Sequence, residues 1–303
     1  MTADAPALSV LIASRDRASL LAALLHSLER ARLASSAMLE VVVVDNGSTD
    51  GTAALLDEWV GGGPGRVRLP VAQPGKSRAL NVALQVARAN VLAFTDDDVE
   101  VAPTYVEEIL AFCAAQPQFA AAIGRVLAPP NVTDPDVLRR LDWYRTVSLF
   151  DHGDAVREES SLHGSNMVLR RATCERIGGF DERLGPGVTG GMEDQELGER
   201  IVRAGLRIGY MPRVVVYHSI DPTRLTPAYF RLFQQRQAIS RFAMDPHGAW
   251  RRALPRLIES AAGFAWWSLR ADPLRREHAR GRMLRNAAIV RLYFRARRQL
   301  GAS

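Results

Sequence analysis

The chain has 303 residues but only two cysteines, one lysine and no long apolar run. Cys113 and Cys174 lie in segments with helical spacing, which favours buried reduced thiols over a disulfide or a metal site. No apolar run reaches ~18 residues, so no transmembrane helix is predicted. The segment 1–7 is short and carries Asp4, so no signal peptide is predicted and a cytoplasmic location is expected.

The formal net charge of +6 is unevenly distributed along the chain. Residues 226–303 carry 16 arginines, no lysine and 4 acidic residues, which leaves the preceding part of the chain with a net negative charge. A basic tail on an acidic body indicates an anionic partner surface. No nucleic-acid recognition motif accompanies these arginines, so nucleic acid is not expected as a partner.

Apolar runs alternate with segments of helical periodicity over the first part of the chain. Strands are predicted at 8–13, 40–44, 67–71, 91–95 and 120–126, and helices at 19–31, 48–60, 75–89 and 103–116. This alternation predicts a doubly wound α/β half that ends near residue 98. Residues 129–160, rich in proline and aspartate, are predicted to be irregular. Two short strands are predicted at 208–211 and 214–217.

Three adjacent carboxylates, Asp96, Asp97 and Asp98, directly follow the predicted strand 91–95. Open α/β sheets bind ligands outside the carboxyl ends of their strands. Adjacent carboxylates repel one another unless a cation lies among them, and oxygen ligands with spare charge suit Mg²⁺ or Mn²⁺. The alternative is a solvated acidic turn that leads into the next helix, with Pro103 in its first turn.

Other polar residues at predicted element ends each have an ordinary structural interpretation, and two of them also have a functional one. Asp45 either closes a turn or accepts hydrogen bonds from the base or ribose of a nucleotide. Glu193 and Asp194 open a predicted helix, where the helix dipole favours acids whatever the function. His218 follows a predicted strand, either as a structural imidazole or as a metal ligand.

The segment Gly75-Lys76-Ser77 matches the end of a phosphate-binding P-loop, which raises the hypothesis of a P-loop NTPase. That motif needs a glycine five residues before Gly75, and the residue there is Pro70. No G-x-G-x-x-G sequence occurs where a dinucleotide-binding fold would need it. Both nucleotide-binding alternatives are therefore disfavoured.

Four motifs occur in order between residues 8 and 218. They are 8–17 with Val41–Asp50, then Gly75–Asn81, then Thr95–Asp98 as a D-x-D metal motif, and finally Gly179–Glu182 followed by Gly191–Asp194. In this order and spacing they resemble glycosyltransferase family 2, a large inverting group with the GT-A fold. At 13–16 the chain departs from the Pro-Thr-Tyr-Asn-like turn of many relatives, which leaves the nucleotide base open.

The resemblance implies donor-binding roles for five residues. Ser14 and Asp45 would contact the nucleotide, with Asp45 at the base, and Lys76 would lie near the base or phosphate. Asp96 would reach the ribose or the metal. Asp97 takes one of these roles in some relatives, since members differ in which aspartate of the run coordinates.

The resemblance also implies a metal site and a base. Asp96 and Asp98 would hold Mn²⁺ or Mg²⁺ at the donor diphosphate. His218 corresponds to the late metal-binding histidine of galactofuranosyl- and rhamnosyltransferase-like members. Asp194 would be the general base that takes the proton of the acceptor hydroxyl.

These roles imply an inverting transfer from a nucleoside-diphosphate sugar, with UDP or dTDP favoured, to a hydroxyl acceptor that is lipid-linked or a polysaccharide. A single in-line displacement needs one base and no enzyme nucleophile. The alternatives are a P-loop-like NTPase and a catalytically idle nucleotide-sugar-binding protein. Neither uses both the acidic run and the base candidate.

The predicted organisation is a GT-A catalytic domain over 1–225, an α/β domain with a nucleotide-binding half near 1–100 and a mixed-sheet acceptor half near 101–225. A basic, amphipathic helical extension follows over 226–303. Its paired Trp266 and Trp267 with flanking arginines suit a helix lying in a membrane interface, at the inner face of the cell membrane. Packing on the catalytic domain or in a dimer is the alternative.

Overall fold

The computed structural model of the protein describes residues 5–300. The prediction that 1–7 is not a signal peptide therefore concerns a segment that lies partly outside the described residues. The strands are β1 (Leu8–Ser14), β2 (Leu39–Asp45), β3 (Arg66–Pro70), β4 (Val91–Thr95), β5 (Val99–Val101), β6 (Phe119–Leu127), β7 (Arg157–Glu159), β8 (Asn166–Arg170) and β9 (Arg207–His218). The helices are α1 (Ala18–Leu33), α2 (Thr52–Gly61), α3 (Lys76–Val86), α4 (Tyr105–Ala115), α5 (Pro135–Tyr144), α6 (Arg171–Ile177), α7 (Glu193–Arg203), α8 (Pro227–Met244), α9 (Pro246–Leu269) and α10 (Pro273–Leu300), with a short 3-10 helix at Pro222–Leu225.

One mixed sheet runs in the order β3-β2-β1-β4-β8-β6-β9-β5, and β7 pairs with β9. The first four strands of this order are parallel, as the alternation of strands and helices predicted. β8 runs antiparallel to both β4 and β6, which makes the second half of the sheet mixed. The predicted fold class, a Rossmann-like half joined to a mixed-sheet half, is confirmed.

Side chains of the parallel strands alternate between two apolar layers, one on each face of the sheet. On one face the layer combines strand residues with α1, α2 and α4, including Val10, Val43, Leu24, Leu56 and Ile109. On the other face it combines strand residues with α3 and α7, including Leu11, Val42, Phe94, Leu80 and Leu197. The continuous apolar runs of β1, β2 and β4 are therefore explained by burial on both faces.

The predicted strands 208–211 and 214–217 are one strand, β9, and this part of the prediction is wrong. The register against β6 shifts at two points, and at the second of them Gly124 pairs with Met211 but Arg125 pairs with Val215. The bulge in β9 accommodates Pro212, which has no backbone N–H to donate to a ladder. Pro212, which lies between the two predicted strands, is therefore part of one continuous strand.

The prediction that 129–160 is irregular is also wrong, because this segment contains α5 and β7. The Asp134 side chain accepts a hydrogen bond from the backbone N–H of Asp136, and Pro135 occupies the first turn of α5. An aspartate N-cap followed by proline is a helix-start signal. The proline and aspartate content that predicted an irregular segment therefore includes the start of a helix. The predicted thiols of Cys113 and Cys174 are indeed free and partly buried in helices.

The chain divides into two compact units. The first comprises the described residues up to 129 with 148–182 and 193–219, and it contains the sheet. The second comprises 130–147, 183–192 and the described residues from 220 onward, and it contains α5, α8, α9 and α10. Within the described residues, no helix has an apolar stretch long enough to cross a membrane. The domain boundary predicted between 225 and 226 stays a prediction.

The Tyr105 hydroxyl is fully buried and has no hydrogen-bond partner among the described residues. Burial of a hydroxyl without a partner costs free energy, so Tyr105→Phe should stabilise the protein by about 1 kcal/mol in urea unfolding. The matched control is Tyr210→Phe, because the Tyr210 hydroxyl accepts the His152 backbone N–H at 3.0 Å. This second change should destabilise the protein by a similar amount. A loss of stability in Tyr105→Phe would contradict the expectation.

Candidate active site

The predicted acidic run lies where β4 ends, next to the end of β9. The short strand β5 follows the run and pairs antiparallel with β9, so that Val99 lies opposite His218. The backbone N–H of Ser219 also donates to the Asp98 carbonyl at 2.9 Å. Strand pairing therefore brings the histidine to the carboxylates, although the two are far apart in sequence.

Asp96, Asp98 and His218 form a group able to hold a metal ion, since one ligand atom from each lies within 4.8 Å of the others. The His218 Nδ1 donates to the Ser219 carbonyl at 2.9 Å, because a carbonyl oxygen can only accept. In the neutral ring this leaves the lone pair on Nε2, which lies 3.6 Å from Asp98 Oδ1. The hydrogen bond to Ser219 thus orients the imidazole toward the carboxylates.

The chemistry of this donor set fits a divalent cation. Two carboxylates and one imidazole nitrogen suit Mn²⁺. Mg²⁺ prefers oxygen ligands, so only the two carboxylates would suit it. Asp98 and His218 are almost fully buried, whereas Asp96 is partly exposed. Asp96 is therefore the side from which solvent or a ligand could reach an ion held by this group.

Asp97 is bound by protein groups on both of its carboxylate oxygens. Its Oδ2 accepts the Ser14 hydroxyl at 2.7 Å, and its Oδ1 accepts Arg17 Nη1 at 2.7 Å. The same Arg17 nitrogen lies 3.0 Å from Asp98 Oδ2. Burial raises the pKa of Asp97, with the Asp98 charge adding to the rise and Arg17 opposing it. Asp97 is thus positioned as a support for the metal-capable group, and Ser14 contacts it directly.

Lys76 connects the acidic run with α7. It is the first residue of α3, and it follows Gly75, whose φ of 143° is strained for other residues. Its ammonium group contacts the Asp96 carboxylate and lies 3.3 Å from Glu193 Oε1. Burial works to lower the pKa of Lys76, but the Asp96 and Glu193 charges outweigh it and the net pKa is raised. The Lys76 side chain is therefore positively charged at neutral pH.

Asp194 lies at the start of α7 with a fixed orientation. Its Oδ2 accepts the Gly164 backbone N–H and its Oδ1 accepts the Gln195 backbone N–H, both at 2.8 Å. Burial raises the pKa of Asp194, and the Lys76 charge opposes this rise. A Cβ built on Gly164 would lie 3.3 Å from Lys76 Nζ and 3.5 Å from Asp194 Oδ2. Lys76 and Asp194 thus flank the same glycine.

In the part of the chain that the structure describes, the side chain of Asp45 contacts neighbours outside the predicted site. It accepts the Ser48 backbone N–H at 3.0 Å and lies 3.3 Å from an Arg68 Nη2. The turn interpretation is therefore supported. Asp45 still lies at the carboxyl end of β2, beside β1, so a nucleotide at this edge would approach it.

Sequence reasoning did not single out Arg17, Asn46 or Glu193 as site residues. The Asn46 side chain donates to the carbonyls of Val71 and Gln73 and accepts the Gly75 N–H, so it shapes the turn before Lys76. An Asn directly after a strand is a signal for such a turn. Nothing in the sequence pattern indicates the pairing of Arg17 with the acidic run.

The family model described as glycosyl transferase family 2 matches residues 9–178, more than half of the chain. The chain belongs to glycosyl transferase family 2. A second model, described as the N-terminal domain of galactosyltransferase, matches residues 146–221. The resemblance stated from the four motifs is confirmed, and the matched region is a glycosyltransferase domain rather than a P-loop NTPase.

Two curated relatives of this family 2 domain are informative. The chain is 30% identical to the O-antigen biosynthesis protein RfbC of Myxococcus xanthus over 74% of its own length, but it spans only 18% of that protein. It is 27% identical to the N-acetylglucosaminyl-diphospho-decaprenol L-rhamnosyltransferase of Mycobacterium tuberculosis, with coverage of 81% of this chain and 84% of the relative.

A solved structure shows the same fold. The mannosyltransferase PcManGT of Pyrobaculum calidifontis, in complex with GDP-Man and Mn²⁺, superposes with a TM-score of 0.54 at 21% identity. The match covers 99% of this chain and 76% of that protein. The family 2 domain therefore has the GT-A fold.

Proposed function

We propose that this protein transfers a sugar from a nucleoside-diphosphate sugar to a hydroxyl acceptor, with inversion, in one metal-assisted displacement. The observation that carries the proposal is one contiguous network. The metal-capable group of Asp96, Asp98 and His218 is joined through Lys76 to Glu193, and Asp194 is the next residue. A site for a leaving diphosphate and a candidate base thus belong to the same cluster of side chains.

In this proposal the donor lies along the carboxyl ends of β1, β2 and β4. Asp45 contacts the base, and Lys76 lies at the base or phosphate as a fixed positive charge. Asp96 binds the ribose or the metal. Ser14 and Asp97 take part in donor binding through the hydrogen bond between them, which holds the first strand against the acidic run.

Asp96, Asp98 and His218 would hold Mn²⁺ or Mg²⁺, and a bound ion would supply Lewis-acid stabilisation of the negative charge on the diphosphate. The protein supplies further positive charge beside these carboxylates. Arg17 contacts Asp97 and Asp98, and Lys76 contacts Asp96. Both cations are fixed by ion pairs, so they need little reorganisation when negative charge develops.

Asp194 would take the proton of the attacking hydroxyl. Its two backbone hydrogen bonds hold the carboxylate in one orientation and leave a second lone pair on each oxygen. Its raised pKa makes it a stronger base than an exposed aspartate. A single base without an enzyme nucleophile is what inversion requires.

We propose a lipid-linked acceptor and a location at the cytoplasmic face of a membrane. The mycobacterial relative is named for a diphospho-decaprenol substrate, and it matches over most of both chains. The arginine-rich segment 226–303 suits an anionic membrane surface. We propose this segment as an extension of the catalytic domain.

The first test is a thermal-shift panel of UDP, dTDP, GDP, CMP and ADP, each with and without Mn²⁺. Ligands that bind only the folded state raise the melting temperature, and a ligand at 100 times its Kd adds about 2.7 kcal/mol, which is several degrees for this size of protein. We expect a Mn²⁺-dependent shift with one nucleoside diphosphate. UDP and dTDP are favoured, although the sequence at 13–16 differs from the turn of many relatives and does not fix the base. GDP is the main alternative nucleotide, because the mannosyltransferase of similar fold is in complex with GDP-Man.

The control in this panel is Asp98→Asn, which removes a metal ligand without changing the size of the side chain. The Mn²⁺-dependent part of the shift should disappear in this variant. A shift with ADP alone would contradict the proposed donor class and favour an NTPase. No shift with any nucleotide would contradict donor binding altogether.

A further inference from the structure

Helix α9 packs on α10 through one face within the second unit. Ala253 and Ser260 of α9 are buried, and Ser260 accepts a weak hydrogen bond from Asn286 Nδ2 at 3.4 Å. Near the start of α9, the Trp250 ring stacks on Tyr293 with ring centroids 4.6 Å apart. The buried face of α9 is therefore defined by contacts along most of the helix.

The opposite face of α9 is apolar and exposed. It is formed by Leu254, Ile258, Ala262, Ala265 and Leu269, together with the neighbouring Trp266. The first five recur at intervals of three or four residues and so form one stripe, about 22 Å long at 1.5 Å per residue. Ile258 is 70% exposed and Leu269 is 85% exposed. We call these six residues the α9 stripe.

The stripe lies about half a turn from the buried face, where a helix on a water-soluble surface normally carries charged residues. Scattered apolar residues on a surface need no explanation, but a continuous apolar strip marks an interaction site. The charged residues of α9 lie mostly beside the stripe. Arg252 and Glu259, for example, are exposed and form ion pairs with Asp245 and Arg282 respectively.

Arginines border the end of the stripe. The Arg270 guanidinium lies 4.3 Å from the Trp266 ring centroid, and Arg275 lies 4.6 Å from that of Trp267. Aromatic rings with adjacent cations suit the boundary between headgroups and acyl chains. The whole segment 226–303 carries 16 arginines against 4 acidic residues, so its ion pairs leave most of this charge uncompensated.

We propose that the α9 stripe docks on the surface of a lipid bilayer rich in anionic lipid, with α9 lying in the plane of the interface. The stripe would insert to a depth of about 5–10 Å, and the bordering arginines would bind headgroup phosphates. A second copy of the chain is a poorer occupant, because it would place two strongly positive segments against each other. A nucleic acid would match the charge and leave the apolar stripe exposed.

The proposal concerns the second unit alone and does not depend on the proposed reaction. It defines the contact between 226–303 and a membrane as one face of one helix. The proposal also predicts that membrane binding requires both the apolar α9 stripe and the bordering arginines. Apolar insertion without charge, or charge without insertion, would give weak and reversible binding.

The test is flotation of the full-length protein with vesicles of phosphatidylcholine, with and without phosphatidylglycerol. The protein should bind the anionic vesicles at low salt and bind pure phosphatidylcholine poorly. The double variant Ile258→Glu with Leu269→Glu should lower the partition coefficient by about tenfold or more, since burial of one such side chain alone accounts for a factor of about ten. The matched control is Leu33→Glu with Met38→Glu, which adds the same charge at exposed apolar positions of the first unit.

A second measurement covers the case in which the double variant folds poorly. Brominated lipid should quench the tryptophan fluorescence of the wild type, and Trp266→Phe should reduce this quenching. Equal binding of the double variant and its control would overturn the proposal. Self-association that is abolished by Ile258→Glu, without vesicle binding, would overturn it in favour of a dimer. Transfer to a water-soluble acceptor should be unchanged in these variants, which separates this result from the proposed function.

Discussion

Asp194→Asn should lower the kcat of glycosyl transfer by about 10²–10⁴-fold, the range typical of a lost general base. Donor affinity should change little, because Asp194 contacts the backbone of Gly164 and Gln195 and is not part of the metal-capable group. Asparagine is isosteric, and its one carbonyl oxygen can accept only one of the two backbone N–H groups that Asp194 binds, so the start of α7 loses one hydrogen bond. The measurement is steady-state kinetics together with a Kd for the donor.

The matched control is Glu199→Gln, which makes the same chemical change on the exposed side of α7. Within residues 5–300, the ion pair of Glu199 is with Arg203, four residues along the helix, so its loss should leave turnover unchanged. Unchanged turnover in Asp194→Asn would remove Asp194 from the mechanism. A parallel loss of donor binding would assign it to substrate binding instead.

The pH profile gives an independent measure of the same role. A base works only when deprotonated, and burial raises the pKa of Asp194 above that of an exposed aspartate, against the opposing charge of Lys76. Activity should therefore fall as the pH is lowered, and the fall should begin at a higher pH than an exposed aspartate would give. This acidic limb should be absent from the residual activity of Asp194→Asn.

Asp98→Asn should weaken Mn²⁺ binding by at least about 100-fold, since the loss of residues that only support a metal ligand already costs 10–100-fold. Asp98 is buried and lies beside His218, so water has little room to replace its carboxylate. Metal-dependent transfer should fall with the metal affinity. The measurement is Mn²⁺ binding by electron paramagnetic resonance or calorimetry, with transfer assayed across a range of metal concentrations.

Asp97→Asn is the matched control, one residue away and with the same chemical change. Both Asp97 oxygens are occupied by Ser14 and Arg17, so this residue supports the site without being placed to coordinate. Its loss should cost about 10–100-fold in affinity at most, clearly less than the loss of Asp98. The reverse order would make Asp97 the metal ligand, as in some arrangements of a D-x-D run.

Much of the first half of the fold is predictable because its contacts follow from local periodicity. The apolar runs of β1, β2 and β4 each predicted a strand to within one residue of its observed bounds. The second half is less predictable. The bulge in β9 depends on its register against β6, and no local pattern encodes the pairing of two strands that are distant in sequence.

The candidate site is likewise only partly predictable from the sequence. Asp96 and Asp98 were predicted as metal ligands from their residue type and their position after a strand, and a metal role was one of two interpretations for His218. The family resemblance then favoured the metal role of His218 and assigned the base to Asp194. Arg17 was missed because its partner Asp97 lies 80 residues away, and arginine three residues after a strand has no characteristic role.

The sequence by itself determined the family, the GT-A fold class and the residue types available for metal binding and proton transfer, because these depend on periodicity and on short motifs. Only the tertiary structure decided which of these groups meet. The pairing of β5 with β9 brings His218 to Asp98, and the approach of α7 brings Glu193 to Lys76. Such contacts depend on strand order and helix packing, which are set by burial over the whole chain rather than by any local segment.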